Sequence, residues 1–277
     1  MTGPALHQHA PRDPMRITTW NVNSVKQRLG HLLAFLNESK PDVVCLQELK
    51  CVDEAFPRTE IEEAGYVVAT HGQKGFNGVA LLARQPLPLR EVRRGLPGDA
   101  EDVQSRYIEA LIPTPAGDLR VASIYLPNGN PVGTPKFDYK LAFLRRLTLH
   151  ARALRAREEV LVLAGDYNVI PEPADAADPE AWRTDALFLP ESRAAFRALL
   201  NEGFSDALRA CDDRPGLYTF WDYQAGAWPR NLGIRIDHLL LSPQALDRLV
   251  SASIQKSLRG LDKPSDHVPV TVELDLG

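Results

Sequence analysis

The chain has 277 residues, 44% of them hydrophobic and 25% charged, with a formal net charge of −4. That is enough apolar sequence to bury a large core in one domain or two close ones. No apolar run approaches the roughly 18 residues of a membrane span, and no leader pattern opens the chain, so neither is expected; the net negative charge offers nucleic acid no overall attraction.

Residues 1–14, MTGPALHQHAPRDP, are rich in Pro and His and carry no period, so they read as a disordered tail ahead of a single domain over 15–277. MRITTWNV reads as a strand ending at Asn21. Residues 24–40 place Val25, Leu29, Leu32, Leu33 and Leu36 at helical spacing, and Pro41 closes that helix. DVVCLQE is then a short β-branched apolar run ending in Gln47 and Glu48. GVALLAR, YIEALIP and LRVASIYLP follow as strands between Pro- and Gly-rich turns. A long helix spans 137–158, and VLVLAG is the strand after it, with Asp166 and Asn168 at its end. Helix, buried strand, acid at the strand's carboxyl end: the pattern occurs twice. ESRAAFRALLNEG is a helix with a Gly stop, IDHLLLS a strand and HVPVTVEL the last strand. Many strands are wholly apolar, so both faces of their sheets must be covered. The expected fold is a four-layer α/β sandwich, two packed mixed β-sheets flanked by helices. A doubly wound single sheet is the alternative.

The polar residues gather at the ends of these strands: Asn21, Gln47–Glu48, Tyr125 with Asn128, Asp166 with Asn168, Asp237–His238 and Asp266–His267. Each has an ordinary reading. Asn21, Asn128 and Asn168 are turn formers, Asp266 after Lys-Pro-Ser suits a cap, and Tyr125 suits a core position anchored by its hydroxyl. His238, next to Asp237 in a strand, points to the opposite face and reads as structural. Repetition is what the ordinary readings leave unexplained, because ligand sites in α/β folds collect at strand ends. Two arginine-rich segments, 84–94 and 145–157, could attract a polyanion locally or be solvated faces. The three cysteines, Cys45, Cys51 and Cys211, show no metal-ligand spacing and suit a reducing cytoplasm.

WNVNS, LQELK, IYLPNG, LAGDYNVIP, YTFWDYQ, GIRIDHLLLS and KPSDHVPV stand in the order of the exonuclease III family of apurinic/apyrimidinic endonucleases. The chain resembles that family, part of the endonuclease/exonuclease/phosphatase superfamily, from Met15 to its end. DPEAWRTDALFLPESRAAF is similar to the same branch. The resemblance implies the four-layer sandwich and a single catalytic domain. It implies a metal site at Asn21 and Glu48, with Glu48 the principal ligand and Asp166, Asn168, Asp266 and His267 as further metal-site residues. Asp166 and Asn168 match the pair that positions and activates water, Tyr125 the phosphate-contacting tyrosine, and Asp237 with His267 an Asp–His couple. Asn128, Phe220 and Trp221 fall where the family contacts DNA. There are two departures: Asn23 stands where some relatives carry an acid, and 128–140 lacks an arginine that some relatives insert into the double helix.

The residue types suit phosphodiester hydrolysis, in which an anionic ester must be neutralised, a water oriented and the leaving oxygen stabilised. Carboxylates favour Mg²⁺, with Mn²⁺ an acceptable substitute, and the His or Cys clusters that zinc prefers are missing. Asp166 can accept the water's proton with Asn168 holding its orientation, while His267, kept charged by Asp237, donates to a phosphate oxygen. The reverse assignment, His267 as base and Asp166 as acid, is equally open at this point. Phe220, Trp221, Ile234 and Ile236 could form a small apolar pocket for a sugar without a base, or could all be core. The expected enzyme is a monomeric Mg²⁺-dependent DNA repair nuclease. It would cut 5′ of abasic sites and trim or clean 3′ ends of duplex DNA. The alternative is a hydrolase of a small phosphoester or lipid head group on the same scaffold.

Overall fold

The computed structural model describes residues 13–277, so most of the expected tail, residues 1–12, lies outside the described residues. The chain opens with strands β1 (Met15–Asn21), β2 (Val43–Gln47), β3 (Tyr66–His71) and β4 (Val79–Arg84). It continues through β5 (Arg90–Arg94), β6 (Tyr107–Thr114), β7 (Gly117–Tyr125), β8 (Val160–Asp166), β9 (Ser205–Asp206) and β10 (Asp237–Leu241). β11 (Leu249–Ile254) and β12 (Val270–Leu274) return to the first group. One six-stranded sheet runs β11-β12-β1-β2-β4-β3 and the other β5-β6-β7-β8-β10-β9.

Each sheet is centred on a parallel pair, β1 with β2 and β7 with β8, and every other pairing is antiparallel. The crossovers that parallel pairing demands are the two long helices, α1 (Leu29–Ser39) and α3 (Pro135–Arg155). This is the physical content of the repeated helix–strand–acid pattern. The sheets face each other across an apolar layer of Ile17, Cys45, Leu81, Val121, Val162 and Leu239, all buried. α1 and the short α2 (Arg58–Glu63) cover one outer face through Leu32, Phe35, Leu36 and Ile61. α3 and α4 (Pro190–Leu200) cover the other through Phe143, Leu144, Leu147, Phe196 and Leu199. The four-layer sandwich is therefore correct, and the single-sheet alternative is not.

α1 begins five residues later than its apolar spacing suggests. The backbone N–H groups of Ser24 and Val25 donate to the carbonyls of Glu48 and Leu49, and Ser24 takes a φ of 87°. A left-handed Ser24, after a left-handed Asn23, cannot open an α-helix. α3 starts cleanly, with Thr134 accepting from the Lys136 N–H and Pro135 in the first turn.

A buried charge network fixes β10, and with it one side of the polar strand ends. Arg235 lies 2.7 Å from Asp175 and 2.5 Å from Asp206, and its Nη1 is 3.0 Å from Nδ1 of His238. Nε2 of His238 lies 3.1 Å from the Val169 carbonyl, so this histidine is structural, as its alternation in the strand implied. Arg235→Met should leave two buried carboxylates short of their main partner. The expected cost is about 3–5 kcal/mol, read from the urea midpoint; a loss below about 1 kcal/mol would show that the network relaxes around the gap.

Candidate active site

All four parallel strands end at one edge of the sandwich. Asn21 closes β1, Tyr125 closes β7, Asp166 closes β8, and Glu48 follows β2 directly. The antiparallel neighbours enter at the same edge: Asp237 is the register partner of Asp166, and Asp266–His267 precedes β12 beside β1. Inside β2, Gln47 points into the sandwich and donates to Ser123 Oγ at 2.9 Å. Strand alternation alone would then turn Glu48 outward. Instead Glu48 takes a left-handed φ of 53°, and Asn168 one of 47°. Asn23, Ser24 and Lys50 are left-handed as well, which concentrates backbone strain at this edge.

The side chains form one connected row across both sheets. Asn21 Nδ2 donates to Glu48 Oε1 and to Asp166 Oδ2, both at 2.9 Å. The other oxygen of Asp166 accepts the Asn168 backbone N–H at 2.9 Å. The Asn168 amide donates to the Leu126 carbonyl at 2.9 Å and accepts from Asn128, an exposed residue, at 3.3 Å. His267 Nδ1 faces Asp237 at 2.8 and 3.1 Å, while its Nε2 stands 3.7 Å from Asp166 Oδ2. Thr219 donates to Asp237 at 2.6 Å and fixes that carboxylate.

Burial and charge set the protonation of this row. Burial opposes a charged imidazole, yet Asp237 and Asp166 outweigh it and raise His267 from 6.5 to about 10. Burial also pushes the Asp166 carboxyl up, with Asp237 and Glu48 adding to it against His267 and Asn21, to about 7. Glu48 goes the other way. Its burial is outweighed by Lys50, the Asn21 hydrogen bond and His267, which hold the carboxyl below its usual range. Burial, then the charges of Glu48 and Asp166, push the Tyr125 phenol well above its ordinary value, so it remains a donor.

Glu48, Asp166 and His267 each bring a ligand atom within 4.8 Å of the other two. Asp266 stands apart from that trio and accepts from Asn23 Nδ2 at 3.0 Å. The donors are chiefly carboxylate and carboxamide oxygens, which suit a hard divalent cation. The chain already sets a cation against Glu48, since Lys50 Nζ lies 2.9 Å from its Oε2 and also donates to Asn23.

Three expected DNA-facing side chains require correction. Trp221, Ile234 and Ile236 are 0%, 1% and 2% exposed. Trp221 donates to Asn231 and stacks edge-on against Trp228, while the two isoleucines pack with Ile170 and Leu187. Phe220 alone of the four reaches the site, half-buried, with its ring centroid 5.0 Å from that of His267. Residues that sequence reasoning passed over are Lys50, Thr219 and Lys140. Lys140 is buried in α3, its Nζ donating to the Asn128 and Asn168 carbonyls, and burial pulls its ammonium down to about 7 against Asp185 and Asp166. Its signal was available: a lysine in helical step with Phe143, Leu144 and Leu147 occupies a core position.

Comparison with known proteins agrees with this geometry. Residues 18–267 match the Endonuclease/Exonuclease/phosphatase family. Exodeoxyribonuclease III of Haemophilus influenzae is 36% identical, covering 94% of this chain and 99% of its own. The 3′ phosphatase NExo from Neisseria, solved with a product DNA hairpin, is 38% identical with a TM-score of 0.90, covering 94% and 99%. An AP endonuclease from Archaeoglobus fulgidus is 35% identical with a TM-score of 0.88, again covering 94% and 99%. The chain therefore belongs to the endonuclease/exonuclease/phosphatase family, in its exonuclease III branch of hydrolytic nucleases.

Proposed function

We propose that this chain is a Mg²⁺-dependent DNA repair nuclease that hydrolyses phosphodiesters 5′ of abasic sites and removes nucleotides or blocked termini from 3′ ends. We assign catalysis to residues 15–277 acting as a monomer, and we place it in the cytoplasm, which suits three unpaired cysteines. The observation that carries the reading is geometric: Glu48, Asp166 and His267 bring ligand atoms within 4.8 Å of one another, with His267 held between Asp237 and Asp166. The names of the relatives, an exodeoxyribonuclease and an AP endonuclease among them, support DNA as substrate.

Glu48, oriented by Asn21, would hold the cation, with Asp166 beside it to complete the shell. When bound, Mg²⁺ or Mn²⁺ neutralises phosphate charge and acts as a Lewis acid. An imidazolium has no lone pair to offer a metal, so His267 serves as a donor rather than a ligand. Its charge also argues against its acting as base, which favours Asp166 as the group that takes the water's proton. Asn168, anchored by Leu126 and Asn128, limits where that water can sit. Tyr125 and the Nε2–H of His267 donate to phosphate oxygens as negative charge develops. Phe220 packs its ring beside His267, with Ile234 behind it, and offers an apolar surface next to the acids. A sugar lacking its base would approach that surface readily, whereas an intact nucleotide must first be unstacked.

The deciding experiment is a labelled duplex with one tetrahydrofuran abasic analogue, incubated with Mg²⁺ or with EDTA. A single cut directly 5′ of the analogue, leaving a 3′-hydroxyl and lost in EDTA, is expected, and Glu48→Gln should shift the Mg²⁺ requirement upward. Hydrolysis of sphingomyelin or an inositol phosphate with no cut in the duplex would hand the site to the second reading.

Asp166→Asn should reduce single-turnover cleavage by at least about a thousandfold, roughly 4 kcal/mol. DNA affinity by fluorescence anisotropy should be unchanged or tighter, since a negative charge facing phosphate is gone. A loss under about tenfold would sink the proton-transfer role.

Asp237→Asn should lower the pKa of His267 from about 10 toward 6.5 and cost most activity at alkaline pH, where only the wild type keeps its proton. A histidine raised on folding contributes stability that is fully present below pH 6.5 and lost as pH rises through about 10. NMR titration of the imidazole in both proteins is the check. A wild-type value at or below 6.5, unmoved by the substitution, would dissolve the couple.

A further inference from the structure

Lys140 sits in the second turn of α3 with no exposed surface, in step with the apolar row Phe143, Leu144 and Leu147. Its Nζ donates to the Asn128 carbonyl at 3.0 Å and to the Asn168 carbonyl at 2.6 Å. Among the described residues no carboxylate forms an ion pair with it. Burying an ammonium without a counter-ion costs several kcal/mol, and an apolar side chain of similar shape would make a cheaper core. Stability alone therefore does not account for a lysine at this position.

The loops it joins are the two that follow the parallel strands of one sheet. The first carries Asn128 and the second Asn168, directly downstream of Tyr125 and Asp166. The first loop is shaped around the lysine stem: a Cβ at Gly129 would lie 2.6 Å from Lys140 Cδ, at a φ of +90° that a side chain would resist. In the second, Asn168 holds a left-handed φ of 47°. Its N–H is bound to Asp166, its side chain to Leu126 and Asn128, and its carbonyl to Lys140. Asn168 ties the loops together on the substrate side and Lys140 ties them from beneath. Release of the carbonyl would let the strained residue relax toward ordinary backbone angles and swing its amide away from Asp166.

We infer that Lys140 is a positioning residue for hydrolysis, holding the Asn128 and Asn168 loops from the core side so that Asp166 and Asn168 keep one geometry. The inference rests on the nuclease reading of the site. Small displacements of catalytic groups cost on the order of 10- to 100-fold in rate.

The test compares wild type, Lys140→Met and Lys140→Arg on the abasic duplex, with urea denaturation and hydrogen–deuterium exchange on the same proteins. Lys140→Met should fold and lose about 10- to 100-fold in kcat with KM within about threefold, because the site loosens without losing its phosphate contacts. Exchange should rise in 126–130 and 166–170 and nowhere else, and Lys140→Arg, which keeps the donors, should restore part of kcat. The inference is overturned if Lys140→Met keeps wild-type kcat, if its loss only tracks the unfolded fraction, or if both variants fail to fold. The wild-type arm separately tests the nuclease reading. If wild type leaves the duplex uncut, exchange confined to the two loops still supports the anchoring, and unchanged exchange there overturns it.

Discussion

The two N–H bonds of Asn21 Nδ2 run to carboxylates on different sheets, Glu48 beside its own and Asp166 on the opposite one. Two buried acids this close repel each other, and a neutral donor between them is the least costly way to hold both. The carboxamide sets their spacing, while the outer oxygens take other partners, Lys50 for Glu48 and the Asn168 N–H for Asp166. Nearly everything else at the polar edge refers to that arrangement. Glu48 reaches it through a left-handed backbone, Asp166 through the end of β8, and the loop after β1 is anchored where Asn21 Oδ1 accepts the Asn23 N–H.

Electrostatics follow from the same constraint. Glu48, Asp166, Asp237 and Asp266 converge on one edge, where Lys50 pairs with Glu48 and a protonated His267 lies between Asp237 and Asp166. Such a pocket repels phosphate until a multivalent cation enters, and the overall charge of −4 gives no help from afar. The buried polar network on the far side of β10, Arg235 with Asp175, Asp206 and His238, is instead fully paired. One acidic cluster is closed by the chain's own arginine and the other is left short of positive charge. That contrast separates a structural network from a site built to bind.

Much of this was legible in the sequence because the informative segments obey one dominant rule each. β2 and β8 are buried on both faces and read as unbroken apolar runs, and their polar terminators stand out against them. Less was legible where two demands compete. The apolar spacing of 24–40 suggested one helix, but left-handed backbone at Asn23 and Ser24, held against the loop after β2, delays its start. β5, Arg-Glu-Val-Arg-Arg, is an edge strand whose charges face solvent, so it carries no alternation to find. Trp221, Ile234 and Ile236 belong to a site motif and yet lie in the core, because a motif marks the neighbourhood of a site without saying which members face outward. Lysines are the hardest case. Lys50 and Lys140 look like ordinary surface residues until packing shows one against Glu48 and the other under Asn168.

Strain and coupling explain why the site behaves as a unit. Left-handed backbone at Asn23, Glu48, Lys50 and Asn168 costs of order 1–3 kcal/mol at each position unless neighbours enforce it. The enforcing bonds here are shared: Asp166 accepts from Asn21 and from Asn168, and Asn168 is bound in turn by Leu126, Asn128 and Lys140. Removing one member therefore releases strain at several others. Protonation is shared in the same way, since Asp166 is raised by Asp237 and lowered by His267, which both acids support. Effects of substitution within this row cannot be additive, because each residue sets the geometry or the charge that gives its neighbour a role. The double substitution of Asp166 and His267 should then cost little more than the worse of the two single ones.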